Sequence, residues 1–457
     1  MNDPVLLKAM GGASIQSGVD ALLDGVERAV ARGTFLKVED PNAEVSTDGY
    51  AKEASDDYSA RAAKLYTEKL PEMQALGRGL AQDLISPLSV PPHDNSAMDG
   101  YAFDGAALRP GQALTLRCVG GALAGAPYRG AVAAGECVKI TTGAPMPAGL
   151  DTVLPQEFAS VRGDAIDVPA GAVRAGDNRR LAGEDVRAGS AALARGQWLT
   201  PAAVGLAASL GLATLTVSRR LRVAYFSTGD EILSLGEPPR EGAVYDSNRY
   251  TVHGLLTRLG CEVIALGVVR DEPALLRAAF ERGAREADAI ITSGGVSVGE
   301  ADHTKAMMKE LGDVVFWRIA MRPGRPMAVG RIAPADGLGR PCVLFGLPGN
   351  PVAVMVTFLA FVRPALLAMM GAQPRALPLL KAHSAEPLRK KPGRTEYQRG
   401  IVEAAADGSL RVRTTGNQGS GVLSSMVQAN GLIVLHHQQG NVAAGDPVDV
   451  MMFDGAI

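Results

Sequence analysis

Acidic side chains recur where predicted strands end in the second half of the chain. Glu231 follows the apolar segment LRVAYFS, Asp271 follows CEVIALGVV, and Asp302 follows ADAIITS after a glycine-rich turn. Loops that follow parallel strands gather at one edge of a sheet, so we expect these carboxylates to lie close together. Mg²⁺ prefers one or two carboxylates together with phosphate oxygens and water. The pattern therefore predicts an anion site with a metal.

The turn SGGVSVGE at 293–300 has the composition of a phosphate-binding turn. Gly294 and Gly295 let backbone N–H groups converge, and the N-terminus of the helix that follows favours negative charge. A Walker A motif would have Lys where Glu300 stands, so this turn is not a P-loop. Glu300 and Asp302 suit Mg²⁺, although a helix N-cap alone would also explain Asp302.

Three arginines surround the turn MRPGRP, namely Arg318, Arg322 and Arg325. Guanidinium groups stay charged and bind phosphate or another oxyanion with two parallel hydrogen bonds. Taken alone, the stretch would also fit a solvated turn. Asp271 likewise has a second interpretation, as the cap of the helix that begins at Pro273.

A polar cluster in the first half, HDNSAMDG at 93–100, follows two prolines. A turn rich in Asp and Asn explains part of this composition, and His93 has no partner spaced for a metal, so we expect it on the surface. TTGAP at 141–145 could hold a phosphate or form a turn, and these two interpretations stay open.

Composition excludes several classes of protein. The 457 residues suggest about three domains, or four if some are small, and a net charge of −2 provides no basic field for nucleic acid or an anionic membrane. The longest apolar run, 352–362, is shorter than the roughly 18 residues that span a bilayer. The first residues resemble no secretory signal, and the four cysteines are too scattered for a metal site. We expect a cytoplasmic protein with buried thiols.

The hydrophobic pattern divides the chain into regions. Segment 1–55 is predicted to be an extension with one helix. Residues 56–105 and 170–217 together are predicted to form a discontinuous α+β domain, which begins with a helix at about 56–84. Residues 106–169 are predicted to form a small β-rich domain inserted into it. Strands alternate with helices over 218–372, which predicts a mainly parallel sheet covered on both faces. Short strands over 373–457 predict a small β barrel or sandwich.

Together the motifs resemble one family, the MoeA proteins or molybdopterin molybdenumtransferases, whose animal relative is the E domain of gephyrin. The matching segments are DNSAMDGYA at 94–102, TTGAPMP at 141–147, AGEDVRAG at 182–189, FSTGDE at 226–231, YDSNRY at 245–250, SGGVSVGEADHTK at 293–305, MRPGRP at 321–326, GLPGNPV at 346–352, PGRTEYQRG at 392–400 and TTGNQGS at 414–420. The resemblance covers roughly residues 56–457, and this co-occurrence is more specific than any single loop.

The resemblance implies an α/β multidomain protein and an elongated homodimer. Its central three-layer α/β domain would bind molybdopterin, and the cleft would face the second subdomain of the partner protomer. The implied reaction inserts molybdate into the dithiolene of adenylylated molybdopterin, with Mg²⁺-dependent release of AMP. A molybdopterin adenylyltransferase and molybdoenzymes would be further partners, with no nucleic acid and no membrane.

The resemblance also implies roles for particular residues. Glu231 and Asp302 would bind Mg²⁺, and with Asp94 they form the catalytic set. The substrate-binding residues would be Thr142, Asp185, Asp271, Gly294, Gly295, Ser297, Arg318, Arg322, Arg325, Arg394 and Ser420. Family members commonly have Lys where this chain has Arg318, Arg322 and Arg325, so the charge is kept but the donor geometry differs.

Two other functions are consistent with these motifs. A gephyrin-like scaffold would organise partners by dimerisation, but it would not need the acidic loops. A molybdopterin adenylyltransferase would share the α/β domain, but it would not need the appended N-terminal and C-terminal regions. Metal insertion is therefore the favoured function.

Overall fold

The computed structural model describes residues 67–296, 303–334, 341–372 and 377–454. Two compact units result. One consists of Lys69–Leu76 and Leu80–Val217, and the other is formed mainly by Ser218–Ile457. The predicted extension at 1–55 lies outside the described residues.

The first unit is built from short strands around three small clusters of buried hydrophobic residues. Its elements are β1 Thr67–Pro71, β2 Leu84–Ile85, β3 Asn95–Ser96, β4 Gly100–Phe103, β5 Leu114–Ala122, β6 Glu136–Ile140, β7 Thr152–Pro155, β8 Ser160–Arg162, β9 Ala165–Val168, β10 Arg179–Arg180, β11 Ala191–Leu193, α1 Pro201–Ser209 and β12 Thr214–Ser218. Single-turn 3₁₀ helices lie at Glu72–Ala75, Gly105–Ala107 and Gln156–Phe158.

One six-stranded sheet dominates this unit, in the order β7-β4-β6-β5-β9-β8. It begins at Gly100, within the segment that the sequence assigns to the α+β domain. The helix predicted at about 56–84 is wrong for its described part. Pro71 cannot continue a helix, and the chain there forms β1, which pairs with β12, and then a 3₁₀ turn.

The second unit begins with an α/β sheet of order β16-β13-β17-β21-β20-β18. Its elements are β13 Arg222–Thr228, β14 Ile232–Leu233, β15 Val244–Tyr245, α2 Ser247–Arg258, β16 Glu262–Val269, α3 Pro273–Glu286, β17 Ala289–Ser293, α4 His303–Leu311, β18 Gly312–Arg318, β19 Met321–Arg322, β20 Pro326–Ile332, β21 Cys342–Leu347 and α5 Pro351–Met369. The predicted parallel sheet is confirmed for four strands, whereas β20 and β18 continue it antiparallel.

Helices cover both faces of this sheet. Phe280 of α3 packs edge-on against Phe226 of β13, with ring centroids 5.1 Å apart, and Met308 of α4 joins the same core. The pair α2 and α5 covers the opposite face. The 19-residue helix α5 is long and apolar enough to span a membrane by composition, but most of it is buried inside the fold. Core helices of soluble proteins have the same property.

The C-terminal region is a closed barrel of five strands. Its elements are β22 Leu379–Ser384, β23 Thr395–Ala404, β24 Leu410–Thr414, α6 Ser424–Gln428, β25 Gly431–Leu435 and β26 Pro447–Met452. The ring closes because β23 pairs with both β24 and β25. The short strand β19 adds to β23, so the arginine turn of the α/β region is joined to the barrel.

Candidate functional site

A cleft of about 1390 Å³ opens at the carboxyl ends of β13, β17 and β21. The chain runs from β13 to β16 on one side and then returns to β17 on the other, so the connections diverge between β13 and β17. Ligands of α/β sheets bind at such a divergence. The cleft is lined by loops at 227–232, 244–248, 293–296, 321–326, 348–351 and 418–421.

The structure brings together most of the predicted site residues of this unit. Those that line the cleft are Glu231, Asp271, Gly294, Gly295, Arg322, Arg325, Arg394 and Ser420. Ser297 and Asp302 lie outside the described residues. Arg318 is the last residue of β18, where its backbone pairs with Pro326. Asp94, Thr142 and Asp185 belong to the other unit.

Gly294 lets the turn after β17 approach the end of β13 closely. Its φ is +92°, and a Cβ atom there would lie 2.3 Å from the carbonyl oxygen of Thr228. No side chain fits at that distance without moving the backbone. Gly295 is similarly tight, because its Cβ would lie 2.5 Å from Cβ of Thr304. The two glycines therefore shape the turn whatever it binds.

Substituting Gly294 by Ala is expected to lower the free energy of unfolding by about 1–3 kcal/mol and to widen the cleft, because strain and the clash with Thr228 add. Gly421 lines the same cleft with nothing within 4 Å of its Cβ position, so Gly421→Ala is the matched control. Urea unfolding of both variants measures the difference. Equal stability of the two variants would contradict the close approach.

Arg322 and Arg325 are the uncompensated cations of the cleft. Both side chains are exposed, and neither makes an ion pair with any residue that the structure describes. Between them Gly324, with φ +102°, packs so closely on Thr357 of α5 that a Cβ would lie 2.6 Å from its methyl group. The two guanidinium groups are thus held on a fixed turn, available for an anion.

Arg394 differs from these two because a carboxylate already compensates it. Its Nε and a terminal nitrogen both lie 2.7 Å from Oε1 of Glu396, which is only 3% exposed. A buried carboxylate needs a partner, since desolvation penalises an isolated charge. Arg394 therefore keeps a structural bond on one side while it lines the cleft on the other.

Replacing Arg394 by Met is expected to destabilise the fold by about 3 kcal/mol, because the charge of Glu396 stays buried without its partner. The double variant Arg394→Met, Glu396→Gln should recover most of that loss, since no charge is then buried. A double-mutant cycle in urea measures the coupling. Additive losses would show that the pair is not coupled.

Arg399 organises the loop that carries Ser420, and sequence reasoning assigned it no role. Its side chain is fully buried, and it donates to Oγ of Ser425 at 2.9 Å and to the carbonyl of Gly419 at 2.9 Å. The side-chain amide of Gln418 accepts a hydrogen bond from the backbone N–H of Arg399 and donates one to its carbonyl oxygen. Burial, and secondarily the charge of Arg322, lowers the pKa of Arg399 to about 10, so it stays a cation at neutral pH.

Carboxylates form another wall of the same cleft. Glu231 is exposed, and its carboxylate has no partner among the described side chains. Asp271 accepts a hydrogen bond from the hydroxyl of Thr304 at 3.2 Å, which fixes it at the start of α4. Asp246, the N-cap of α2, lines the same cleft.

This wall fits a hard cation. Within the described ranges, no three acidic, His or Cys side chains are close enough to form a metal site by themselves. The cleft nevertheless offers carboxylate oxygens, including those of Glu231, which has no described partner. Mg²⁺ commonly takes only one or two protein carboxylates and completes its shell with phosphate oxygens and water. The donor set therefore suits Mg²⁺ bound together with a phosphate-bearing substrate.

In the other unit, Asp94 joins two of the quoted motifs. Nε of Arg179 donates to its Oδ2 at 2.8 Å, and the backbone N–H of Ala182 donates to its Oδ1 at 2.7 Å. The bond from Ala182, followed by that from Arg179, lowers the pKa of Asp94. Both oxygens are thus committed, and Asp94 is better suited to holding the segment at 182–189 than to accepting a proton.

Thr142 is held by a residue that we did not predict. Its backbone N–H and its hydroxyl both donate to Oδ1 of Asp99, at 2.6 and 2.9 Å. Asp185 is exposed, and its backbone N–H bonds the carbonyl of Val90. The three motifs of the first half therefore form one polar surface within this unit.

The Asp94 bonds predict a pH dependence of stability. The folded-state pKa is lowered, so the stabilisation is complete above the unfolded value near 4 and is lost as pH falls through the folded pKa. Asp94→Asn should therefore be less stable than the wild type at pH 7, by about 1–3 kcal/mol, and the difference should shrink at pH 3. Urea unfolding at both pH values measures this, with exposed Asp164→Asn as the control. A difference that persists at pH 3 would contradict it.

The four cysteines are free, as expected, but Cys118 is only half-buried. Burial raises the pKa of Cys137 and of Cys261 to about 12, so neither forms a thiolate at neutral pH. The described lining of the cleft also contains no Cys, so we assign the cysteines no part in the site.

Comparison with known proteins agrees with these observations. Three family models match successive parts of the chain: MoeA N-terminal region (domain I and II) at 51–211, probable molybdopterin binding domain at 224–368, and MoeA C-terminal region (domain IV) at 381–453. The molybdopterin molybdenumtransferase of Haemophilus influenzae is 41% identical over 389 residues, which are 85% of this chain and 94% of the relative. Molybdopterin molybdenumtransferase 2 of Mycobacterium tuberculosis is 37% identical over 390 residues, 83% of this chain and 94% of the relative.

A solved structure gives the same result. The molybdopterin biosynthesis moeA protein from Pyrococcus horikoshii superposes with a TM-score of 0.70 at 28% identity, covering 86% of this chain and 99% of that chain.

Proposed function

Because this chain belongs to the MoeA family of molybdopterin molybdenumtransferases, we propose that its cleft inserts molybdate into adenylylated molybdopterin and releases AMP. One observation carries the proposal. A single cleft combines two uncompensated arginines with a group of carboxylates, at the sheet edge where α/β domains bind ligands. Such a cleft suits a substrate that carries phosphates and a second anion.

The arginine side binds the anions. Arg322 and Arg325 stand free on a rigid turn, and the hydroxyl of Ser420 lies on the loop that Arg399 fixes. Molybdate is a tetrahedral dianion, and guanidinium, hydroxyl and backbone N–H donors match it. Gly294 and Gly295 shape the turn beside the phosphates. We assign Arg318 and Ser297 to the same anion site from the family resemblance.

The carboxylate side serves the phosphoanhydride, whose cleavage releases AMP. We assign Mg²⁺ binding to Glu231 and Asp302 from the family resemblance, and Asp271 lines the same cleft as Glu231. When bound, Mg²⁺ neutralises phosphate charge and stabilises the leaving group. Thr304 orients Asp271, and the free carboxylate of Glu231 stays available for the metal.

Asp94, Thr142 and Asp185 complete the proposal as a polar surface that a partner protomer would present to the cleft in a homodimer. The shared surface of these motifs in one unit supports a common role. A molybdopterin adenylyltransferase would supply the substrate, and molybdoenzymes would receive the product. Four free cysteines are consistent with a cytoplasmic location.

AMP release from adenylylated molybdopterin by the purified chain tests the function. We expect release that requires molybdate and stops when a chelator removes Mg²⁺, and restored release when Mg²⁺ is added back. Tight substrate binding without release would favour a scaffold. ATP consumption with unmodified molybdopterin would favour an adenylyltransferase.

A further inference from the structure

Three oxygen acceptors of the cleft are buried and have no described partner: Thr228 Oγ1, Asp246 Oδ2 and Asn248 Oδ1. All three residues are more than nine-tenths buried, and all three line the cleft. We call them the acceptor wall. A buried acceptor is costly when nothing donates to it, so three in one wall indicate a ligand that donates there.

Asp246 lines the cleft with one carboxylate oxygen bonded and the other without a described partner. Its Oδ1 accepts the hydroxyl of Ser227 at 2.8 Å and the backbone N–H of Arg249 at 3.0 Å. Behind Ser227, the hydroxyl of Tyr225 lies 2.9 Å from that of Ser227 and 2.7 Å from that of Ser293. This buried hydroxyl chain fixes Oδ1 and leaves Oδ2 as the free acceptor.

The orientation of Asn248 follows from its other bond. Its Nδ2 lies 2.7 Å from the carbonyl oxygen of Gly349, which can only accept, so the amide nitrogen must point there. Oδ1 is then the atom on the free side. Asp246 and Asn248 therefore offer acceptors only.

We propose that the acceptor wall binds the N–H edge of the pterin, in which the 2-amino group and the neighbouring N3–H are both donors. This inference rests on the proposed function. Adenine, the other heterocycle of the substrate, presents its amino group beside an unprotonated ring nitrogen. That nitrogen would face an acceptor of the wall, which is repulsive. The wall thus selects the pterin end of the substrate, and AMP binds elsewhere in the cleft.

Two simple ligands test this directly. Pterin (2-amino-4-oxopteridine) and lumazine, which has a carbonyl group where pterin has the 2-amino group, are titrated against the full chain by fluorescence. The wild type should bind pterin at least about tenfold more tightly than lumazine. Asp246→Asn keeps an N-cap acceptor but places an amide donor in the wall, so the ratio should fall to about one or reverse. AMP affinity should stay unchanged.

The control is Asp104→Asn, an exposed N-cap of the other unit, which should keep the wild-type ratio. Equal wild-type affinities for the two ligands would overturn the inference. So would an Asp246→Asn variant that loses AMP affinity or Mg²⁺ affinity while keeping the pterin preference. These binding measurements are independent of the test of the proposed function. If only the proposed function fails, AMP release is absent while the preference for pterin over lumazine remains.

Discussion

Replacing Glu231 by Gln is expected to lower the rate of AMP release by about 100- to 1000-fold, the range seen when one group that stabilises developing charge is lost. Gln keeps the size of the side chain and removes only the negative charge. Glu231 is an exposed carboxylate of the cleft with no described partner, so its loss should not disturb the fold. The rate of AMP release in a single turnover at saturating substrate measures this effect.

The matched control is Glu241→Gln, an exposed carboxylate on the loop between β14 and β15 that does not line the cleft. It should retain wild-type activity. If Glu231→Gln also retains it, with normal Mg²⁺ dependence, then Glu231 is not part of the reaction.

The double variant Arg322→Met, Arg325→Met is expected to raise the KM for molybdate by about 100-fold, since two charge-assisted contacts at about 1.4 kcal/mol each correspond to tenfold per contact. The matching Lys variant should lose much less, because it keeps the charge and loses only the two-pronged donor geometry. Steady-state kinetics with varied molybdate measure both.

Arg411→Met, an exposed residue of β24, serves as the control for the removal of positive charge. A fall in kcat with an unchanged KM would place the two arginines with the reacting phosphate rather than with molybdate. Unchanged kinetics would remove them from the site altogether.

Local motifs predicted the α/β region well because the chemistry follows the strands directly. Glu231, Asp271, Gly294 and Arg322 each come within a few residues of a strand end, and strand ends of a parallel sheet share one edge. The acceptor wall is not predictable from the sequence, although YDSNRY is one of the family-like segments. Its Asp and Asn resemble an ordinary helix start, and only burial shows that two of their oxygens have no described partner.

Contacts between distant segments could not be predicted from spacing. Arg179 bonds Asp94 across 85 residues, and Asp99 bonds Thr142 across 43. The hydrophobic pattern also failed at 67–75, because pairing of β1 with β12 outweighed local helical spacing. By contrast, Arg394 and Glu396 are two residues apart on one strand end, and side chains at that spacing share a face. That ion pair could therefore be predicted from the sequence.

The most direct test of the account is the number of molybdenum atoms transferred for each AMP released. Purified chain, adenylylated molybdopterin, molybdate and Mg²⁺ are allowed to react, and pterin-bound molybdenum and free AMP are quantified in the same sample. We expect one molybdenum atom for each AMP, with both products absent when molybdate is omitted. AMP release without molybdenum in the pterin would identify a hydrolase instead and contradict insertion as the function.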